Sequence, residues 1–215
     1  MEIYSTEEQQ VEAIKKFWQE NGTQIIVGAA LGLAGFWGWN FYVDKKIEAQ
    51  EAASTQFEKF TEVAGATDVT SESLESELKT FVDKHGDSGY AIFVKLIAAK
   101  QAVADSKFEA ALEHLNGAAA QITDTSLKGL VESRIARVQI ELKQYDAALS
   151  TLNAIANEGF KARVAELKGD VYLAKGDAVK ARSEYQAAAD QGGLQGNNLL
   201  QMKLDDLTLS ASNDS

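Results

Sequence analysis

The chain has no cysteine, no proline and only two histidines, His85 and His114. Without cysteine there are no disulfides and no thiolate zinc sites, and the redox compartment is unconstrained. The histidines do not share a metal-ligand spacing such as H-x-x-x-H, so a histidine-based metal site has no support either. There is no P-loop and no G-x-G-x-x-G pattern, and Gly28-Ala-Ala-Leu-Gly32 lies inside an apolar run where it cannot cradle a phosphate. Ser106 and His114 share a helical region with acids, but a triad assembled on one surface helix would be an accident of composition. The many carboxylates fall on solvated helix faces. The expectation is a protein that is not an enzyme and holds no cofactor. His85 reads as the end of a helix, where the dipole favours a cation. Missing proline points the same way as the missing catalytic motifs, because proline breaks helices and punctuates loops; its absence suits an all-α chain with short turns.

Positive charge is also in short supply: 21 Lys and Arg stand against 32 Asp and Glu, a net of −11. Residues 1–43 hold 2 of those bases and 5 of those acids, which leaves residues 44–215 at a net of −8. An acidic surface of this kind argues against a nucleic-acid partner. The 172 residues after position 43 are enough for one domain with a proper core.

One stretch has no charge at all. Residues Thr23 to Val43, TQIIVGAALGLAGFWGWNFYV, run for 21 residues, and as a helix they span roughly 30 Å, the hydrocarbon thickness of a bilayer. A cleaved signal peptide wants a basic n-region and a short apolar core ending in small residues. Here Glu2, Glu7, Glu8, Glu12 and Glu20 outnumber Lys15 and Lys16, and the run ends in Asn40, Phe41, Tyr42 and Val43. A soluble core helix of this length shows a polar face, whereas here only Thr23, Gln24 and Asn40 are polar, all near the ends. Trp37, Trp39, Phe41 and Tyr42 gather at one end as an interfacial belt does. The run reads as a single transmembrane helix. Gly28 and Gly32 form a G-x-x-x-G pair, continued by Gly35, a face that lets another membrane helix approach closely. Lys15 and Lys16 before the run balance Lys45 and Lys46 after it, so the positive-inside rule does not decide the orientation.

Helical periodicity covers the remainder. Ser5, Thr6, Glu7 and Glu8 form a capping-box signature, followed by Val11, Ile14 and Trp18 at helical spacing. This tail either lies on the membrane surface or extends the span. A stalk helix is expected over 46–64 and another helix over 72–84, broken by His85-Gly-Asp-Ser-Gly89. Helices then recur over about 90–104, 107–121, 127–143, 145–157, 161–175 and 178–190, with a last one over 195–209. Ser106 to Glu109 reads as a capping box and Asp177 as an N-cap. Short helices alternating with tight turns read as stacked hairpins, and the final helix as the cap that covers the last apolar repeat face. The organisation expected is a tail over 1–22, a membrane helix over 23–43, a stalk and leading helices over 44–88, a repeat domain over 89–209 and a disordered tail over 210–215.

The hairpins superimpose. Ala111, Ala148 and Ala181 lie 37 and 33 residues apart, each followed by an apolar pair: Leu115 and Ala118, Leu152 and Ile155, Tyr185 and Ala188. The period resembles the tetratricopeptide repeat, whose unit is about 34 residues. The third unit matches best, with Gly169, Tyr172, Gly176, Asp177, Ala181, Tyr185 and Ala188. The first two depart from the pattern: Ala99 and Ala136 replace the glycine, and Ala102 and Gln139 replace the aromatic. In that register the groove-facing positions include Phe93, Leu96, Lys100, Arg137, Ile140, Arg163 and Asp170.

The whole arrangement resembles the YfgM family, most specifically in EQQVEAIKKFWQENG (Glu8 to Gly22) and LLQMKLDDL (Leu199 to Leu207). The resemblance implies a bacterial inner-membrane protein, cytoplasmic at its N-terminus and periplasmic in its repeat domain. It implies an ancillary subunit of the SecYEG translocon that partners the periplasmic chaperone PpiD, with secretory polypeptides as a further class of ligand. The rival expectation is an envelope stress or assembly regulator that sequesters a signalling protein through its tail or its repeat domain.

Overall fold

The computed structural model describes residues 7–213, and the environment of side chains over 9–207. Every regular element among these residues is helical: α1 (Glu7–Ala64), α2 (Ser71–His85), α3 (Gly89–Ala104), α4 (Phe108–Ala119), α5 (Thr125–Glu141), α6 (Tyr145–Ala154), α7 (Lys161–Ala174), α8 (Ala178–Ala188) and α9 (Asn198–Asn213). The chain divides into two compact units, residues 1–52 and 53–215. Part of the capping box expected at Ser5 and Thr6 lies outside the described residues. Helix α9 continues to Asn213, past the domain end expected at residue 209.

In the first unit the tail and the apolar run form one uninterrupted helical stretch, so the tail extends the run. This stretch is long and apolar enough to cross a membrane. Ile26, Leu31, Phe36, Trp37 and Trp39 are all exposed along it. A Cβ added at Gly28, Gly32 or Gly35 would meet nothing within 4 Å.

In the second unit four apolar clusters run in series, and consecutive clusters share a helix. The first joins Phe60 of α1 to Leu74, Leu78 and Phe81 of α2 and Val94 of α3. The next joins α3, α4 and α5 through Ala102, Leu115 and Val131. The third joins α5, α6 and α7 through Ala136, Leu152 and Leu167. The last joins α7, α8 and α9 through Ala165, Tyr185 and Leu200. Each hairpin can bury its apolar face only against the next, which is the packing of an α-solenoid.

The three repeat hairpins turn by one device. The backbone N–H of Lys107 donates to Ala102 O (2.7 Å) and that of Ser106 to Val103 O (3.0 Å). Gln144 and Lys143 repeat the pair to Gln139 O and Ile140 O, and Asp177 and Gly176 repeat it to Tyr172 O and Leu173 O. This is the Schellman closure, which needs a left-handed residue at its centre. That residue is Ser106 (φ 58°), Lys143 (φ 59°) or Gly176 (φ 82°). The capping box expected at Ser106 and Glu109 consequently does not form. Ser106 is the closing residue of α3, and α4 starts from Lys107 with no side-chain cap. Asp177 does cap α8, accepting from Lys180 N at 3.0 Å.

Gly169 shows why only the third unit carries glycine at the helix crossing. A Cβ there would lie 2.3 Å from Cε1 of the fully buried Tyr185. In the first two units the residues equivalent to Tyr185 are Leu115 and Leu152, and alanine suffices at Ala99 and Ala136. Gly169→Ala should lower unfolding free energy by about 1–3 kcal/mol despite alanine's better helix propensity. Pairing it with Tyr185→Leu, which recreates the crossing of the other units, should recover part of the loss in a double-mutant cycle of denaturant melts. Ser106→Gly and Lys143→Gly should each stabilise by about 0.5–1 kcal/mol, since the left-handed backbone costs a side chain more than glycine's extra chain entropy; a lower midpoint in the same melts would contradict that account.

Candidate functional site

A cavity of about 620 Å³ opens on the second unit, within the usual size of ligand pockets. Phe57 of α1 forms one wall. Phe93, Leu96, Ile97 and Val103 of α3 form another, and Leu127, Leu130 and Val138 of α5 face them, with Leu115 of α4 behind. Phe57 and Phe93 touch as a tilted ring pair, 6.5 Å between centroids. Three cations share the lining: Lys100, Arg134 and Arg137; no acidic residue does. Burial against these walls first, and the charge of Arg163 second, hold the Arg137 guanidinium below its ordinary range, against the opposing pull of Asp170 and Glu166.

The structure brings together Phe93, Leu96, Lys100 and Arg137 of the positions predicted from the repeat register. The other three are elsewhere. Ile140 packs on the cluster shared by α5, α6 and α7. Arg163 pairs with Glu166 at 3.3 Å. Asp170 accepts from the Tyr185 hydroxyl at 2.7 Å and from Lys203 Nζ at 2.6 Å. The cavity also includes residues that the register did not supply. Phe57 belongs to a helix ahead of the repeats. Arg134 and Leu130 extend the Arg137 face by steps of three and four residues along α5, a spacing that the sequence displays.

Asp170 and Arg163 belong to a second arrangement, which closes the C-terminal end of the solenoid. Lys203 of α9 bridges Glu166 (2.9 Å) and Asp170 (2.6 Å), and Asn197 Nδ2 donates to Glu166 at 3.1 Å. Burial alone would raise the Glu166 carboxyl, but the hydrogen bond and charge of Lys203, then Arg163 and Asn197, outweigh it and leave it below the usual range. Burial and the Asp170 carboxylate push the Tyr185 phenol far above its ordinary value, so it stays a neutral donor. Among the described residues no buried side-chain polar atom lacks a partner, and no group of three or more His, Asp or Glu could hold a metal ion.

Comparison with known proteins gives a consistent result. Residues 15–209 match the family described as Tetratricopeptide repeat-like domain. The chain is 35% identical over 201 residues to the "Ancillary SecYEG translocon subunit" of Haemophilus influenzae, covering 94% of this chain and 97% of that protein. It is 34% identical over 210 residues to the protein of the same name from Escherichia coli, covering 97% and 100%. The corresponding protein of Neisseria gonorrhoeae is 27% identical over 209 residues, covering 96% and 100%. No solved structure matches the chain.

The Lys203 bridge carries a pH-dependent prediction. A carboxyl whose folded pKa lies below its unfolded value of ~4.3 stabilises fully above that value and loses the contribution as pH falls through the folded pKa. Lys203→Met should therefore cost about 2–4 kcal/mol at neutral pH by leaving Glu166 short of its main partner. The gap between wild type and variant in circular-dichroism melts should narrow below about pH 4. A gap unchanged by pH would assign the loss to packing of the lysine stem instead.

Proposed function

Because the chain belongs to the tetratricopeptide repeat-like family of ancillary SecYEG translocon subunits, we propose that it acts as a non-catalytic scaffold at the export site. In this reading α1 anchors it in the bacterial inner membrane with the N-terminus cytoplasmic and the repeat domain periplasmic. The repeat domain docks a PpiD-like periplasmic chaperone. Tethering raises the effective concentration of that chaperone for chains leaving the channel, with no new contact to the chains themselves. Gly28, Gly32 and Gly35 would seat α1 against a membrane helix of the translocon, since small residues allow close backbone approach.

The observation that carries the reading is the coincidence of two features in one chain. Near-complete alignment with translocon subunits covers the apolar helix as well as the repeats, and the repeats hold an open, largely apolar cavity suited to a protein ligand. Chemical crosslinking and pull-down of the full-length protein from native membranes tests it. Recovery of translocon subunits together with a periplasmic chaperone is the expected outcome. Gly28→Leu with Gly32→Leu should reduce translocon recovery about tenfold if the interface loses on the order of 1.4 kcal/mol. Unchanged recovery would remove the glycine face from the interface. Recovery of a cytoplasmic regulator in place of the translocon would overturn the reading and move the function to the tail.

A further inference from the structure

We propose that the cavity between α3 and α5 docks an acidic amphipathic segment of a partner protein, with apolar side chains against Phe93, Leu96 and Leu130 and carboxylates against Lys100, Arg134 and Arg137. The inference rests on the scaffold reading and names the chemistry of its ligand.

Charge is the first argument. Acids outnumber bases 27 to 19 across residues 44–215, yet the lining of this cavity reverses the sign, with three cations and no acid. Other bases of the second unit lie in ion pairs: Lys107 with Glu72, Lys161 with Glu158, Arg163 with Glu166, Lys175 with Asp146, Lys180 with Asp177, and Lys203 with Glu166 and Asp170. No ion pair or hydrogen bond to a carboxylate is found for the side chains of Lys100, Arg134 or Arg137 among the described residues. Arg137 is the most constrained, because the groove walls desolvate it and Arg163 and Arg134 repel it, which the attraction of Asp170 and Glu166 offsets only in part. A carboxylate from outside would relieve both penalties.

Apolar exposure is the second argument. Phe93 is 49% exposed, Leu130 42% and Val103 41%, in a unit whose other large side chains mostly sit inside four clusters. Anchors of this kind surrounded by charge are the make-up of a recognition surface. The same inventory disfavours a basic ligand. The n-region of a secretory leader is basic, and its lysines would face three like charges, an arrangement that costs affinity steeply. The groove is thereby matched to an acidic partner segment rather than to the charged end of a leader.

The test uses the full-length protein in nanodiscs of zwitterionic lipid and fluorescence anisotropy with three labelled synthetic peptides. One carries Leu and Phe at helical spacing among glutamates. The second replaces every Glu by Lys, and the third keeps the Glu but replaces the apolar residues by Ser. The first should bind, more weakly as salt rises. The second and third should bind at least about tenfold more weakly. Arg134→Glu with Arg137→Glu should invert the preference toward the lysine peptide, and Lys100→Glu on α3 tests the same point if the double variant does not fold. Equal binding of the Glu and Lys peptides, binding of neither, or displacement of the Glu peptide by short-chain anionic lipid would each overturn the proposal. Translocon recovery by crosslinking separates it from the wider reading: recovery intact with no peptide preference overturns the groove chemistry alone, and peptide preference intact without recovery overturns the scaffold alone.

Discussion

The close approach of two helices within each hairpin is the constraint on which the solenoid depends. At each crossing a small residue on the first helix faces a large one on the second, and the two sizes are complementary. Leu115 and Leu152 leave room for Ala99 and Ala136, whereas the ring of Tyr185 occupies the volume that a Cβ at residue 169 would need. Interiors packed to crystal density feel a single methyl group, so these pairs are chosen together and not one at a time. The spacing they set also fixes which residues of the first helices face outward along the concave side.

The tyrosine carries a second consequence. Its hydroxyl is buried with the ring and requires a partner, which Asp170 supplies. Asp170 in turn requires a cation, and Lys203 reaches it from α9 while also neutralising Glu166. The acids on the first helix of the third unit are thus committed to holding the capping helix. The first helices of the earlier units have no tyrosine partner and no such acids. Their outward positions carry Lys100, Arg134 and Arg137, none of which forms an ion pair among the described residues, although Asp170 and Glu166 attract Arg137 from a distance. The contrast between a neutralised C-terminal end and a cationic groove follows from one ring at one crossing.

Much of the fold was legible in the sequence because helical period and turn chemistry are local. Without proline, and with apolar residues every three or four positions, each helix expected after residue 64 lies within a few residues of the observed one, whereas the tail, apolar run and stalk merge into the single α1. Asp177 caps α8 as its sequence context predicts, because its side chain needs only its own next turn. The same reasoning misassigned Ser106, because the competing demand came from the preceding helix, whose last carbonyls take the backbone N–H groups there. The site was legible in the same partial way. Register placed Phe93, Leu96, Lys100 and Arg137 on the cavity, since stepping along a helix suffices to find a face. It could not show that Asp170 is already bonded to a lysine 33 residues later, or that Phe57, from a helix outside the repeats, closes a wall. Both are contacts between elements, which no local pattern records.

The unpaired cations are best understood as a cost that stability alone would not keep. A desolvated guanidinium without a close counter-ion destabilises the fold it sits in, and an apolar residue in its place or an acidic neighbour would remove the penalty. This chain has acids in excess and pairs several of them with lysines on the same surface, so the lack of an ion pair for Arg134 and Arg137 is not a shortage of material. Sites of binding are where proteins hold groups in states that the isolated fold does not favour. An exposed phenylalanine, an exposed leucine and a desolvated arginine on one concave face each add such a cost. A ligand that covers the apolar side chains and neutralises the cations removes all of these costs in one step, and the free energy recovered in that step is what would hold it in the groove.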